Sequence, residues 1–316
     1  MGCMVRPPKP FVDREREEAE EFRERRESRR IGKHKIKKLQ KIAIPKRPTK
    51  VHLVIGDSHA HWEEGNQRFE ALGRMVKAIR PDCVIDLGDS ADMSSLLGIE
   101  SGSKGPIFEG FSYWKDIDVY TDAKERYHHY LKGTNKYPRH IRLMGNHEDR
   151  ITRLLELEPR FRGIIDLDDL GDSDFGRDGW EVYPFLEAAH VDGVVYSHYF
   201  KSPGGKRPVS GVVPTRSVLM KYPGSFTRVF GHTHSFGFFE DADGAPGDHF
   251  KKISSINAGC FFSPKMSGMR WSGTDKNRWR SGILVLEIES GDFSGTLGQL
   301  KSWKWFDYWD VMSEWG

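Results

Sequence analysis

Aspartate, histidine and asparagine gather along this 316-residue chain in five short clusters: Asp57-Ser58-His59, Gly88-Asp89-Ser90-Ala91-Asp92, Gly145-Asn146-His147-Glu148, Ser197-His198 and Gly231-His232-Thr233-His234. Carboxylate and carbonyl oxygens together with imidazole nitrogens are the donors that manganese, iron and zinc accept. One cluster alone would mean little, because Gly-Asp pairs are common and a lone His such as His198 is more often a satisfied polar residue than a ligand. Five clusters supply enough donors for two cations with a carboxylate shared between them. Cations held about 3.5–4 Å apart can neutralise phosphoryl oxygens and acidify a water near neutral pH, so the chemistry in view is hydrolysis of a phosphate ester.

In residue type and order the clusters resemble the calcineurin-like metallophosphoesterases, whose pattern runs D-x-H, G-D-x-x-D, G-N-H-[DE], H, G-H-x-H. The resemblance spans residues 51–288 and leaves both ends of the chain unexplained. It implies an α/β fold, a two-sheet β-sandwich flanked by helices, and a phosphoesterase that depends on two divalent metal ions, manganese first, with iron, zinc, nickel or magnesium as alternatives. On that resemblance Asp57, His59 and His234 would bind one ion, Asn146, His198 and His232 the other, and Asp89 would bridge them. His147 would be the general acid for the leaving oxygen, since an imidazole can carry a proton near neutral pH, and Asp92 would orient or charge it. As a structural alternative, Asp92 would merely cap a helix. Gly56, Gly88, Gly145 and Gly231 stand before ligands, where the chain must leave its strand sharply. A turn at Gly231-His232-Thr233-His234 would splay the two imidazoles, which an extended segment would send to one side. His61, His128, His129 and His190 have no place in the pattern and read as ordinary polar residues. Arg142, Arg150, Lys206, Arg207 and Arg216 are candidates to grip phosphate.

Substrate class is less legible. Serine/threonine protein phosphatases of this superfamily typically carry G-D-x-V-D-R-G and R-G-N-H-E, and here Met93 and Met144 occupy those arginine positions, which counts against a phosphoprotein. The basic run from Met269-Arg270-Trp271 to Arg278-Trp279-Arg280 favours a nucleic-acid or nucleotide phosphoester, because cations hold the backbone and flat aromatics stack on bases. A phosphoprotein or small phosphomonoester is the second reading. A non-enzymatic nucleic-acid-binding or assembly protein is the third.

Strands and helices must deliver these clusters to one place. The β-branched run Val51–Ile55 and the apolar run Cys83–Leu87 read as strands, each followed at once by a cluster. Between them Phe69, Leu72, Met75, Val76 and Ile79 recur at helical spacing over Arg68–Ile79, and Pro81 ends that helix. This β-α-β rhythm predicts neighbouring strands whose C-terminal ends share one edge. Further strands are expected at His140–Met144, Val194–Tyr196, Arg228–Phe230, Lys252–Ile256 and Gly282–Ile288, with helices near Ala123–Leu131 and from Ile151. Phe108, Phe111, Tyr113, Trp114 and Tyr120 read as packing, and acidic Asp166–Asp178 as a surface loop, not a calcium loop.

Net charge is +3, but the first 50 residues carry 17 Lys/Arg against 8 Asp/Glu and the remainder 32 against 38. Asp13 to Arg30 alternates charges as a solvated, salt-bridged helix would. Lys33-His34-Lys35-Ile36-Lys37-Lys38-Leu39-Gln40-Lys41 is the better nucleic-acid candidate. Pro45 and Pro48 mark a linker. The expected organisation is therefore a basic extension over residues 1–50, a metallophosphoesterase domain over 51–290, and an aromatic C-terminal segment over 291–316 that packs on it. Three scattered cysteines make no disulfide framework. Met1-Gly2-Cys3 lacks the Ser or Thr of an acylation signal at position 6, which is Arg6. Without a run of about 18 apolar residues or a secretory signal, no membrane partner and a cytoplasmic location are expected.

Overall fold

Among the described residues of the computed structural model, which are 19–21, 24, 49–99, 112–132, 138–171, 179–205, 207–210, 213–222, 224, 226–243, 251–263, 265, 278–289 and 298–316, the chain alternates strand and helix through its first half. Lys33 to Lys41, Met269 to Trp271, Phe108, Phe111, Lys206 and residues 172–178 lie outside that set. In order come β1 (Thr49–Ile55), α1 (Gln67–Ile79), β2 (Cys83–Asp86), α2 (Tyr113–His129), β3 (Arg139–Leu143), α3 (Asn146–Leu157) and β4 (Trp180–Tyr183). They are followed by β5 (Ala189–Val191), β6 (Val194–Ser197), α4 (Pro214–Lys221), β7 (Thr227–Phe230), β8 (Phe236–Asp243), β9 (Lys251–Ala258), β10 (Gly282–Glu289), β11 (Gln299–Asp307) and α5 (Tyr308–Trp315).

Two sheets result, with strand orders β11-β10-β1-β2-β3-β4 and β5-β6-β7-β9-β8. The run β1-β2-β3-β4 is parallel throughout, as is β6-β7-β9, while β10, β11, β5 and β8 pair antiparallel at the flanks. Side chains alternate across each strand, and this assigns them to layers. Val54, Ile85, Ile141, Leu284 and Leu286 of the first sheet meet Val194, Tyr196, Val229 and Ile256 of the second in one apolar layer. Leu53, Ile55 and Val84 face the opposite way, into a larger cluster with Phe69, Leu72 and Met75 of α1, Tyr113, Ile117 and Tyr120 of α2, and Ile151 and Leu154 of α3. Val195 and Phe230, on the outer face of the second sheet, pack with Val218 of α4. The architecture is thus α/β, two mixed sheets face to face with helices outside.

Strands β4, β5 and β8 and helix α4 were not expected from the sequence, and three further elements depart from its reading. Helix α2 starts at Tyr113 instead of near Ala123, and its early turns bury Tyr113, Trp114, Ile117 and Tyr120 at three- and four-residue spacing. Helix α3 starts at Asn146, so the third cluster is its first turn. The C-terminal segment adds a strand to the first sheet before α5 packs beside α1. Lys301 is the extra residue of a β-bulge between the pairs Glu287↔Ser302 and Ile288↔Leu300, which breaks the period-two pattern that would have revealed β11.

Candidate metal centre

Every cluster sits where a parallel strand ends. Asp57 and His59 follow β1, Asp89 and Asp92 follow β2, and Asn146 and His147 open α3 directly after β3. His198 follows β6, and His232 and His234 follow β7, so the donors come from both sheets. The turn at the fifth cluster splays its imidazoles, with His232 at φ 68° and His234 at φ 55°. Its backbone joins the sheets, because His232 N–H donates to Asp57 Oδ1 at 3.0 Å, while Gly231 N–H donates to His198 O at 3.0 Å within the second sheet. Glycine is required beside two of the carboxylates: a Cβ at Gly145 would lie 2.0 Å from Asp89 Oδ1, and one at Gly231 2.4 Å from Asp57 Oδ1.

Donor atoms of Asp57, His59 and His234 lie within 4.8 Å of one another, as do those of Asp89, His198 and His232, and those of His59, Asp89 and His147. Asn146 Oδ1 joins the second group, 2.9 Å from His198 Nε2. Hydrogen bonds fix which imidazole nitrogen faces inward. His198 Nδ1 contacts Leu87 O at 2.9 Å, His147 Nδ1 contacts Asp92 O at 2.6 Å and His59 Nδ1 contacts Asp92 Oδ1 at 2.9 Å, so each Nδ1 carries the proton and each Nε2 is presented to the centre. His59 Nε2 then stands 3.1 Å from His234 Nε2. Asp57 Oδ2 is fully buried without a hydrogen-bond donor although His234 Nε2 is 3.0 Å away, a contact in distance only; His232 Nδ1 is orphaned too. Buried polar atoms are normally paired. Acceptors converging without donors fit a divalent cation, and the mixed oxygen and imidazole set suits manganese, iron or zinc.

Electrostatics agree with that fit at His59 and His232, whereas at His198 the Asp89 and Asp57 carboxylates outweigh burial and raise the pKa. Burial, helped by the neighbouring His147, pulls the His59 pKa down to about 4, and burial beside His198 does the same for His232, so both imidazoles are neutral and able to ligate. For Asp57, Asp89 and Asp92 burial alone would favour the neutral acid, but surrounding imidazoles hold all three carboxyls below the usual range. Burial and Arg150 oppose a charge on His147, yet Asp89 and Asp92 keep its pKa up at about 9.

Asp92 serves more than His147. Its carboxylate is 2.9 Å from His59 Nδ1 and 3.4 Å from His147 Nδ1, while its backbone oxygen takes the shorter 2.6 Å contact from His147. Three residues also act here in ways the sequence did not indicate, Arg150 among them, whose expected role was to grip phosphate. Glu148 accepts from the backbone N–H groups of Asp89, Gly145, Ser90 and Ala91, which locks the β2 exit loop onto the start of α3. Arg150 is buried, donating to Asp92 O at 2.9 Å and Met93 O at 3.2 Å, with Nη2 3.0 Å from His147 Nε2. His61 Nε2 lies 3.8 Å from Asp92 Oδ2. Its place two residues beyond His59 was the available signal. By contrast, Arg142 is committed to Asp86 at 3.1 Å, His128 accepts from Trp180 Nε1, and exposed Arg216 lies over Phe239.

No protein-family model matches the chain, and no curated protein matches it in sequence. One solved structure that is 9% identical covers 80% of this chain and 99% of its own with a TM-score of 0.37, a likeness too loose to bear on fold or function.

Proposed function

We propose that this protein is a metal-dependent phosphoesterase with two divalent cations, acting on a nucleic-acid or nucleotide phosphoester. The observation that supports this reading is the pair of buried donor groups, Asp57/His59/His234 and Asp89/His198/His232, drawn from both sheets. They divide as the family resemblance assigns ligands to two ions. Cations bound there, manganese foremost, would neutralise the phosphoryl oxygens and supply hydroxide near neutral pH. The chain's own residues do the rest. Asp89 shares one donor group with His198 and His232 and another with His59 and His147, so its carboxylate is the one that would be shared between the two ions. Asp92 steers His59 through Nδ1 and anchors His147 through its backbone carbonyl. His147, with Nδ1 held by the Asp92 carbonyl at 2.6 Å, turns Nε2 toward the centre and would pass a proton from there to the departing oxygen. Buried Met93 and Met144 put no cation where protein phosphatases grip phosphoserine, which favours the nucleic-acid substrate.

The test is turnover by the manganese-loaded protein of a bis-nitrophenyl phosphate and of an oligonucleotide, comparing wild type with His147→Ala. Wild type should cleave both. A general acid matters most for a poor leaving group, so the variant should lose about 10²–10⁴-fold on the oligonucleotide and much less on the nitrophenyl ester. No hydrolysis with manganese, iron or zinc would overturn the proposal, and equal losses on both esters would remove His147 from its role.

A further inference from the structure

Beside the centre, Trp279 covers two buried rings. Its indole lies 4.6 Å from the His234 ring at an interplanar angle of 78° and 5.5 Å from Phe262 at 89°. His234 and Phe262 are 5% and 2% exposed, whereas Trp279 is half-buried and marks the rim. The backbone fixes that position, since Arg280 N–H donates to His234 O at 2.8 Å and Arg280 O accepts from Cys260 N–H at 3.0 Å. On either side Arg278 and Arg280 are exposed, and among the described residues neither has a carboxylate partner. The buried guanidiniums nearer the strands, Arg142 and Arg150, are both engaged internally. Among the described residues, Arg278 and Arg280 are thus exposed cations on either side of the indole that packs on His234.

We propose that Arg278-Trp279-Arg280 is a nucleotide-binding edge: the indole takes a base of a single-stranded nucleic acid, and the guanidiniums hold the phosphate next to the one being cleaved. The proposal rests on the phosphoesterase reading and gives it a substrate class, a phosphodiester chain in preference to an isolated phosphomonoester. An indole beside guanidiniums suits a strand of any sequence, because every base offers a flat face and the backbone offers charge. The short tether from His234 to Arg280 keeps this edge within one residue of the candidate ligand, so a bound base would set the register of the scissile bond.

Binding of a cleavage-resistant phosphorothioate single strand to the manganese-loaded protein, followed by fluorescence anisotropy, tests the edge without needing turnover. Trp279→Leu should weaken a base-bearing strand about tenfold and leave an abasic strand of equal length unchanged, with Trp279→Tyr restoring most of the loss. The double variant Arg278→Gln/Arg280→Gln should weaken both strands and flatten the salt dependence by about 0.7 per lost phosphate contact. Unchanged affinity in Trp279→Leu, or equal losses on base-bearing and abasic strands, would overturn the proposal. Metal-dependent hydrolysis of small aryl phosphates with such a null binding result would sink the edge alone. Trp279-dependent binding without any hydrolysis would sink the phosphoesterase reading alone.

Discussion

At the scale of single residues, the centre depends as much on missing atoms as on ligands. Gly231 stands where a methyl group would overlap Asp57 Oδ1 at 2.4 Å, and that carboxylate also accepts the His232 N–H. Gly231→Ala must therefore push Asp57 away from His234 and His59, and the expected outcome is a 10–100-fold loss of manganese affinity, the range seen when groups supporting a ligand are disturbed. Calorimetric titration of wild type and variant measures this directly, and matching affinities would show that Asp57 is not a ligand. The glycines and the five clusters were legible because ligand chemistry restricts residue type. Glu148 was not, since nothing in a glutamate's type says that it will collect four backbone N–H groups from two segments. Arg150 was likewise readable only as a cation, and its direction toward Asp92 and Met93 depends on the helix it rides.

At the scale of elements, the strand tips were predictable and the segments leaving them were not. Parallel strands β1 to β3 announce themselves through short β-branched runs ending at glycine, whereas β11 hides behind its bulge and α2 behind aromatics that suit packing in any conformation. The start of α2 matters to the site, because Asp116 reaches the segment that leaves Asp92, accepting from Ser95 N–H at 2.9 Å and Ser94 Oγ–H at 3.2 Å. Burial raises the Asp116 pKa from 3.8 to about 6, only partly offset by those serine donors. A carboxyl that holds its proton more tightly when folded favours the folded state below pH 4, and that preference is lost as pH climbs through 6. Asp116→Asn cannot ionise. Its unfolding free energy relative to wild type should thus rise by roughly 2 kcal/mol between pH 4 and pH 7. Urea melts at the two pH values read this difference, and a gap independent of pH would contradict the burial effect assigned to the carboxyl.

At the scale of the whole molecule, the two sheets meet through one apolar layer and, at one end, through the candidate centre. Asp57 and Asp89 belong to the first sheet and are 0% and 2% exposed; His198, His232 and His234 belong to the second. No helix among the described residues is long and apolar enough to cross a membrane. Each donor group draws on both sheets, so a cation held by Asp57, His59 and His234, or by Asp89, His198 and His232, would join them there. Removing it leaves two buried carboxylates near one another, with the surrounding imidazoles and one backbone N–H on each to oppose their repulsion. A ligand present at a hundred times its dissociation constant stabilises the folded state by about 2.7 kcal/mol. For a chain of this size that corresponds to a melting temperature lowered by roughly 4 °C when a chelator is added. Scanning calorimetry of the manganese-loaded protein with and without chelator measures the effect, and Asp89→Asn should lose most of the chelator sensitivity because its bridging charge is gone. If wild type melts at the same temperature in both conditions, the sheets are held by the apolar layer alone and the converging donors do not retain a cation.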